Sequence, residues 1–302
     1  MFPRRVFLPV LILCIVIAGY IYLKNGVKAA TVITVASKDF TENILVSEIY
    51  AQILEAEGYT VKRKQALGGT PIIHAAMLAN EVNLYPEYTS TALVTVLKQG
   101  LESSPVVAYN KAKKGYEQDF DFIMLNMTAV NNAQGMAITK KAAERYGIRT
   151  LTDLSREAFH LRLCATPEFE EREDGLAGLK ARLGGFEFKD IKVFSKGLKY
   201  EVLREGKADV NICFTTDANL AQGDIVPIVD DILFWPPYNL VPVARKDLVA
   251  KNPKIVQLIN AVSDLLDTDV MQRLNAEVDL KHREYKEVAA EFLKEKGFVV
   301  TN

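Results

Sequence analysis

Cysteine, histidine and tryptophan are scarce in this 302-residue chain, with three, three and one respectively. His74, His160 and His282 are scattered, with no pair at ligand spacing, and Cys14, Cys164 and Cys213 fit no metal motif. No metal and no cofactor is therefore expected. A basic block is also missing from the folded part. The 37 basic residues are balanced by 38 acidic ones, and phosphate binding needs a basic face, so nucleic acid is excluded as a partner. The chain has no internal repeat, no low-complexity stretch and no long flexible linker. What it does have is 49% hydrophobic residues, enough for one or two cores, and a length that suggests two domains.

The N-terminus departs from the balance of the rest. Arg4 and Arg5 precede an apolar run from Phe7 to Leu23, and Val27-Lys28-Ala29 supplies a small-residue site before Ala30. This is the layout of a secretory signal cleaved after Ala29. The alternative is an uncleaved anchor, for which a run of 17 is short, since a membrane span needs about 20 residues. Leu13 stands before Cys14 where a lipoprotein signal has a small residue, which argues against lipidation. On either reading residues 1–29 export or anchor the chain, and the remainder is periplasmic or otherwise extracytoplasmic. Cys164 and Cys213 each end a predicted strand. An oxidising compartment would permit a disulfide, and two buried free thiols are the alternative.

From Thr31 onward strand and helix alternate. Thr31–Ala36, Val82–Tyr85, Leu161–Ala165, Ile191–Phe194 and Val210–Phe214 read as strands. Asp39-Phe40-Thr41-Glu42 has the form of a capping box. The helix it opens carries Ile44, Leu45, Ile49, Ile53 and Leu54 on one stripe and closes at Gly58. Gly68-Gly69-Thr70-Pro71 reads as loop, cap and first-turn proline. Ile255, Leu258, Ile259, Val262, Leu265 and Leu266 follow the helical period near the C-terminus. The fold class expected is α/β with two lobes, each a mainly parallel sheet flanked by helices. Thr128–Met136 and Pro236–Val243 are the candidate crossings. They place residues 30–131 plus 239–302 in the first lobe and 132–238 in the second, with a ligand cleft between them.

The loops at predicted strand ends supply aromatics, two cations and several hydroxyls. They include Ser37-Lys38-Asp39, Tyr85 to Thr91, Arg172, Phe214-Thr215-Thr216-Asp217 and Phe234 to Tyr238. That mix suits a zwitterion with a methylated ammonium head. A quaternary ammonium donates no hydrogen bond and is held by aromatic faces, at up to about 2 kcal/mol per desolvated contact. A carboxylate end is held by Lys or Arg with hydroxyl donors.

With these segments on view, the chain resembles the substrate-binding proteins of osmoprotectant ABC importers, the glycine betaine, choline and carnitine type. The resemblance is carried by Ser37 to Glu42, Gly68-Gly69-Thr70, Leu84 to Thr89, Arg172 to Gly175, Gly197 to Tyr200, Thr216-Asp217, Pro236-Pro237-Tyr238 and the tail Glu287 to Gly297. It implies a two-lobed periplasmic binding protein fold of type II. It also implies a monomer that binds a small zwitterion or cation and delivers it to a membrane permease, with no catalysis. In such proteins a box of tyrosines holds the ammonium head. Tyr88 and Tyr238 match two of those positions, and Phe214 matches a third without the hydroxyl. Gln134 stands at the fourth. Lys38, Thr91 and Arg172 match the carboxylate-binding positions. Ser90 and Ala218 replace glycines usual in the family.

Gln134 has no π face but can donate and accept hydrogen bonds. Two ligand readings stay open: a betaine or choline-like solute, or a different amine such as a basic amino acid. Two other functions also remain at this point. One is an enzyme on the same architecture, with a cofactor attached through a cleft cysteine such as Cys213. The other is a membrane-anchored sensor.

Overall fold

The β-branched run Val32-Ile33-Thr34-Val35 forms β1 (Val32–Ala36), which stands inside a five-stranded sheet. The computed structural model describes residues 32–165, 167–171, 173–193 and 198–299. The expected signal segment and Arg172 lie outside the described residues.

In the first sheet, β1 pairs in parallel with β2 (Thr60–Lys64) and β3 (Leu84–Tyr88). A returning strand, β10 (Leu240–Arg245), lies antiparallel between β3 and β4 (Phe122–Met124), giving the order β2-β1-β3-β10-β4. The second sheet repeats the scheme. β6 (Arg162–Ala165) is parallel to β7 (Asp190–Val193) and β8 (Val210–Phe214), and β5 (Gln134–Thr139) lies antiparallel between β8 and β9 (Ile225–Pro227). Its order is β7-β6-β8-β5-β9. The architecture is thus α/β with two mainly parallel sheets, each carrying one antiparallel strand that arrives from the other.

Each sheet is covered on both faces. The helix Thr41–Ala56 packs Leu45, Ile49 and Leu54 against Ile33 and Val35, together with Ile255, Ile259 and Val262 of the helix Lys254–Ser263. The expected stripe on Thr41–Ala56 is an understatement. Every residue from Leu45 to Leu54 is buried, because β1, the C-terminal helices and the cleft surround it. Gly58 follows the C-cap with φ +85°, a left-handed conformation that glycine adopts without a Cβ penalty. On the opposite face Ile73, Met77, Tyr116 and Phe122 form a second core layer. The second sheet is enclosed by Leu151, Leu154, Leu179 and Phe186 on one side and by Tyr200, Leu203 and Leu220 on the other. Cys164 and Cys213 are free thiols buried there.

Two sequence expectations are corrected. First, β3 runs to Tyr88 rather than ending at Tyr85, although Pro86 lies inside it. Pro86 faces Pro242 of β10, so both missing N–H groups fall on the same rung, and the Pro86 carbonyl is taken by the Asn43 amide at 2.9 Å. Second, the capping box does not form. Phe40 is the N-cap of Thr41–Ala56, with no side-chain cap, and Glu42 turns toward the cleft instead.

The chain crosses between the sheets from Met124 to Gln134 and returns between Pro227 and Leu240. The crossings run side by side. Asn131 bridges Asn239, the Asn132 N–H donates to the Tyr238 carbonyl at 3.0 Å, and the Tyr238 N–H donates to Asn131 Oδ1 at 2.7 Å.

Asn43 joins three elements at once. It is fully buried, accepts from the Lys38 N–H at 2.7 Å and donates to Pro86. Asn43→Ala should cost about 1–3 kcal/mol in urea unfolding, since it strands a buried donor and a buried acceptor. A loss below a few tenths of a kcal/mol would show that the junction is held by other contacts.

Candidate functional site

The carboxyl ends of β1, β3 and β8 and the two crossings meet around a cavity of about 600 Å³, within the usual span for small-molecule sites, about 300–1,000 Å³. Lys38, Tyr88, Thr91, Gln134, Phe214 and Tyr238 all line it, so the fold brings together six of the seven expected site residues. The seventh, Arg172, is not among the described residues, though its neighbour Asp174 lines the same cavity.

Lys38 follows β1 and is buried. Its Nζ donates to Glu87 Oε1 in a close ion pair. Glu87 is fully buried and gathers further donors: Thr70 Oγ1 at 2.9 Å, the Tyr85 hydroxyl at 3.3 Å and the Tyr88 N–H at 2.7 Å. Thr70 is therefore the first residue of the helix Thr70–Leu78 rather than its cap, which is Gly69, and its hydroxyl serves Glu87. The Lys38 ammonium already has a protein counter-ion. Its two remaining protons are the part available to a ligand.

Tyr88 is buried, with 4% of its surface exposed. Phe40 stacks on it with ring centroids 6.1 Å apart, and Lys38 Nζ lies 4.9 Å from its centroid. Phe40, itself 38% exposed, is therefore an aromatic wall of the cavity that sequence reading missed. Across the cavity Phe214 is half exposed and stands directly opposite Gln134 in the β5–β8 register. Tyr238 is half-buried where the second crossing enters β10.

Asp217 is committed within the second sheet's own loops. It takes Lys199 Nζ at 2.6 Å, the Tyr200 hydroxyl at 2.8 Å and the Phe214 N–H at 3.1 Å. Tyr85 and Tyr200 pack and hydrogen-bond behind the cavity and do not line it.

Glu42 is the other residue that the sequence pattern concealed. Its carboxylate is buried and lines the cavity. Oε1 accepts from the Tyr88 hydroxyl at 2.6 Å and from Asn132 Nδ2 at 3.1 Å, and Oε2 accepts from Asn275 Nδ2 at 3.4 Å. Asn275 belongs to the helix Thr268–Asp279, packed against the helix Thr41–Ala56, and also donates to the Thr216 carbonyl at 3.0 Å. Gln272 of that helix donates to the Thr215 carbonyl at 2.7 Å. The helix thus links the two halves of the cleft. Desolvation holds the Glu42 carboxyl above its ordinary value of 4.5, against the opposing pull of its neutral hydrogen-bond donors.

The fold and site define a two-lobed solute-binding protein whose cleft lies at the strand carboxyl ends. The chain belongs to the OpuAC family, described as the substrate binding domain of ABC-type glycine betaine transport systems, whose family model matches residues 31–295. This is a family of transporter substrate-binding proteins. A glycine-betaine-binding protein of Pseudomonas aeruginosa is 30% identical over 295 residues, covering 94% of this chain and 93% of that protein. A Helicobacter pylori protein named ergothioneine transport permease/ergothioneine binding protein EgtU is 30% identical over 298 residues, or 97% of this chain. The chain spans only 53% of that relative. Among solved structures, one titled glycine betaine/carnitine/choline ABC transporter superposes with TM-score 0.84 at 28% identity, covering 88% of this chain and 99% of the other. Apo YehZ from Escherichia coli gives 0.82 at 27%, covering 89% and 100%. The fold is therefore the type II binding-protein fold that the sequence motifs implied. Among the described residues, no helix is long and apolar enough to cross a membrane, and no cluster suits a metal ion.

Two outcomes follow from the buried carboxylates. Glu87→Ala, which leaves Lys38 buried and unpaired, should lower stability by about 3–5 kcal/mol in urea unfolding. Glu42 makes stability depend on pH. Its folded-state value lies above the unfolded one, so the folded state binds more protons and stability falls as pH rises from about 4.5 to the folded value. The stability of wild type relative to Glu42→Gln should decline across that window. A difference flat with pH would mean that the carboxyl is unperturbed.

Proposed function

We propose that this chain is the extracytoplasmic binding protein of an ABC importer and delivers a quaternary-ammonium solute, glycine betaine, choline or a close analogue, to a membrane permease. The observation that carries this reading is the wall of four aromatic rings, Phe40, Tyr88, Phe214 and Tyr238, around one cleft whose floor holds the buried charges Lys38 and Glu42. Ring faces attract a methylated ammonium that can make no hydrogen bond. Lys38, Thr91 and Arg172 are assigned to the ligand's carboxylate, and Gln134 stands at the rim of the box. The lobes are residues 30–131 plus 239–302 and residues 132–238, rocking about the paired crossings near Asn131 and Asn239. The chain acts as a monomer, without catalysis, after export by its N-terminal segment.

A second reading is favoured by Gln134. Its amide stands opposite Phe214, where a pure aromatic box would offer only rings. A betaine extended by a ring bearing N–H groups, as in the ligand for which the H. pylori relative is named, would use that amide.

Calorimetric titration with glycine betaine, choline, carnitine, ergothioneine and arginine separates these readings. Heat with one or more of the ammonium compounds is expected, and Tyr238→Ala or Phe214→Ala should each weaken that binding by roughly tenfold. Gln134→Tyr should tighten glycine betaine and weaken ergothioneine. Binding of arginine alone would replace the proposal with a basic amino acid importer.

A further inference from the structure

We infer that Glu42 is a specificity-determining residue of this site, the fixed negative charge that selects a cationic head over an uncharged one of the same shape. The inference rests on the functional reading above and names the group that reads the charge.

Glu42 has no cationic partner among the described residues. Its neighbours Tyr88, Asn132, Asn275 and Thr216 are neutral donors. Oε1 takes the bonds from Tyr88 and Asn132 and Oε2 the one from Asn275, so an amide in its place would keep only the first two. Neutral donors leave the charge itself unbalanced, and burial makes that costly. The other buried ion pair at the cleft is Lys38 with Glu87, and the partly exposed Asp217 is also paired, with Lys199. Buried charges are normally paired, and a cationic ligand supplies what this one lacks.

The position suits that role. Glu42 lines the cavity at the hydroxyl end of Tyr88, so an ammonium resting among the aromatic walls lies within the reach of its field. Donation from the Tyr88 hydroxyl to a carboxylate also makes that phenol more electron-rich, which strengthens its attraction for a cation. The two amides are oriented by the same group. Asn132 and Asn275 turn Nδ2 to Glu42, Asn275 Nδ2 also serves the Thr216 carbonyl, and both Oδ1 atoms are left with no partner. Asn275 is 5% exposed and lines the cavity, so its unpaired acceptor adds to the negative potential there.

The test compares choline with dimethylbutanol, its uncharged isostere in which a quaternary carbon replaces the nitrogen, by calorimetry on the exported chain. Wild type should prefer choline by about a hundredfold or more, and Glu42→Gln should reduce that preference by on the order of tenfold while the isostere's affinity stays nearly constant. Glu42→Asp should keep most of the preference. A wild type that binds the two ligands equally overturns the inference whatever the variants do, including if Glu42→Gln fails to fold. Equal weakening of both ligands in Glu42→Gln, with the preference intact, also overturns it and makes Glu42 a structural support. If no ammonium compound binds wild type, it is the functional reading that fails.

Discussion

Glu87 is a carboxylate sealed from solvent at the end of a central strand, and the geometry of the cleft depends on how it is satisfied. Four donors meet it: the Lys38 ammonium, the Thr70 and Tyr85 hydroxyls and the Tyr88 amide. They come from the end of β1, the start of the helix Thr70–Leu78 and β3 itself. A buried charge left unpaired is expensive, so these elements are fixed relative to one another to within hydrogen-bond tolerance. Tyr88 and Lys38 then face the cavity as a preformed wall. The ligand contacts assigned to them need little reorganisation of the first lobe.

The second constraint is the pairing of the crossings. Asn131, Asn132, Tyr238 and Asn239 hold two strands side by side where the chain passes between sheets. The helix Thr268–Asp279 adds a bridge through Gln272 and Asn275 to the loop after β8. Glu42 sits where these systems meet, bonded to Tyr88 of the first sheet, Asn132 of a crossing and Asn275 of the bridging helix. A charge bound there acts on both halves of the cleft at once. This is the physical basis for expecting ligand and lobe closure to be linked.

Much of the candidate cleft lining is legible in the sequence. Lys38, Tyr88, Thr91, Gln134, Phe214 and Tyr238 could be named because each lies in or beside an ordered motif at a strand end, and the fold gathers all six. β8 was read with its observed limits because Val210 to Phe214 is a continuous apolar run bounded by polar residues. Proline normally marks an edge or a loop, so the sequence pattern ends this strand at Tyr85, and nothing local reveals that Pro86 will face Pro242. Glu42 departs from its sequence pattern for a related reason. Its spacing after Asp39 fits a cap, and only the arrival of Asn132 and Asn275 from distant parts of the chain explains why it turns inward.

The sequence by itself determined the α/β alternation, the segments that form the cleft and the chemical kind of most side chains that line it. These follow from hydrophobic period, turn residues and ordered motifs, which are local properties. Tertiary structure alone decided the electrostatics. Lys38 and Asp217 acquire partners, Glu42 receives only neutral ones among the described residues, and Phe40 becomes a wall by stacking on Tyr88. The reason is that the energy of a charge depends on burial and on neighbours many residues away, neither of which is encoded in spacing along the chain.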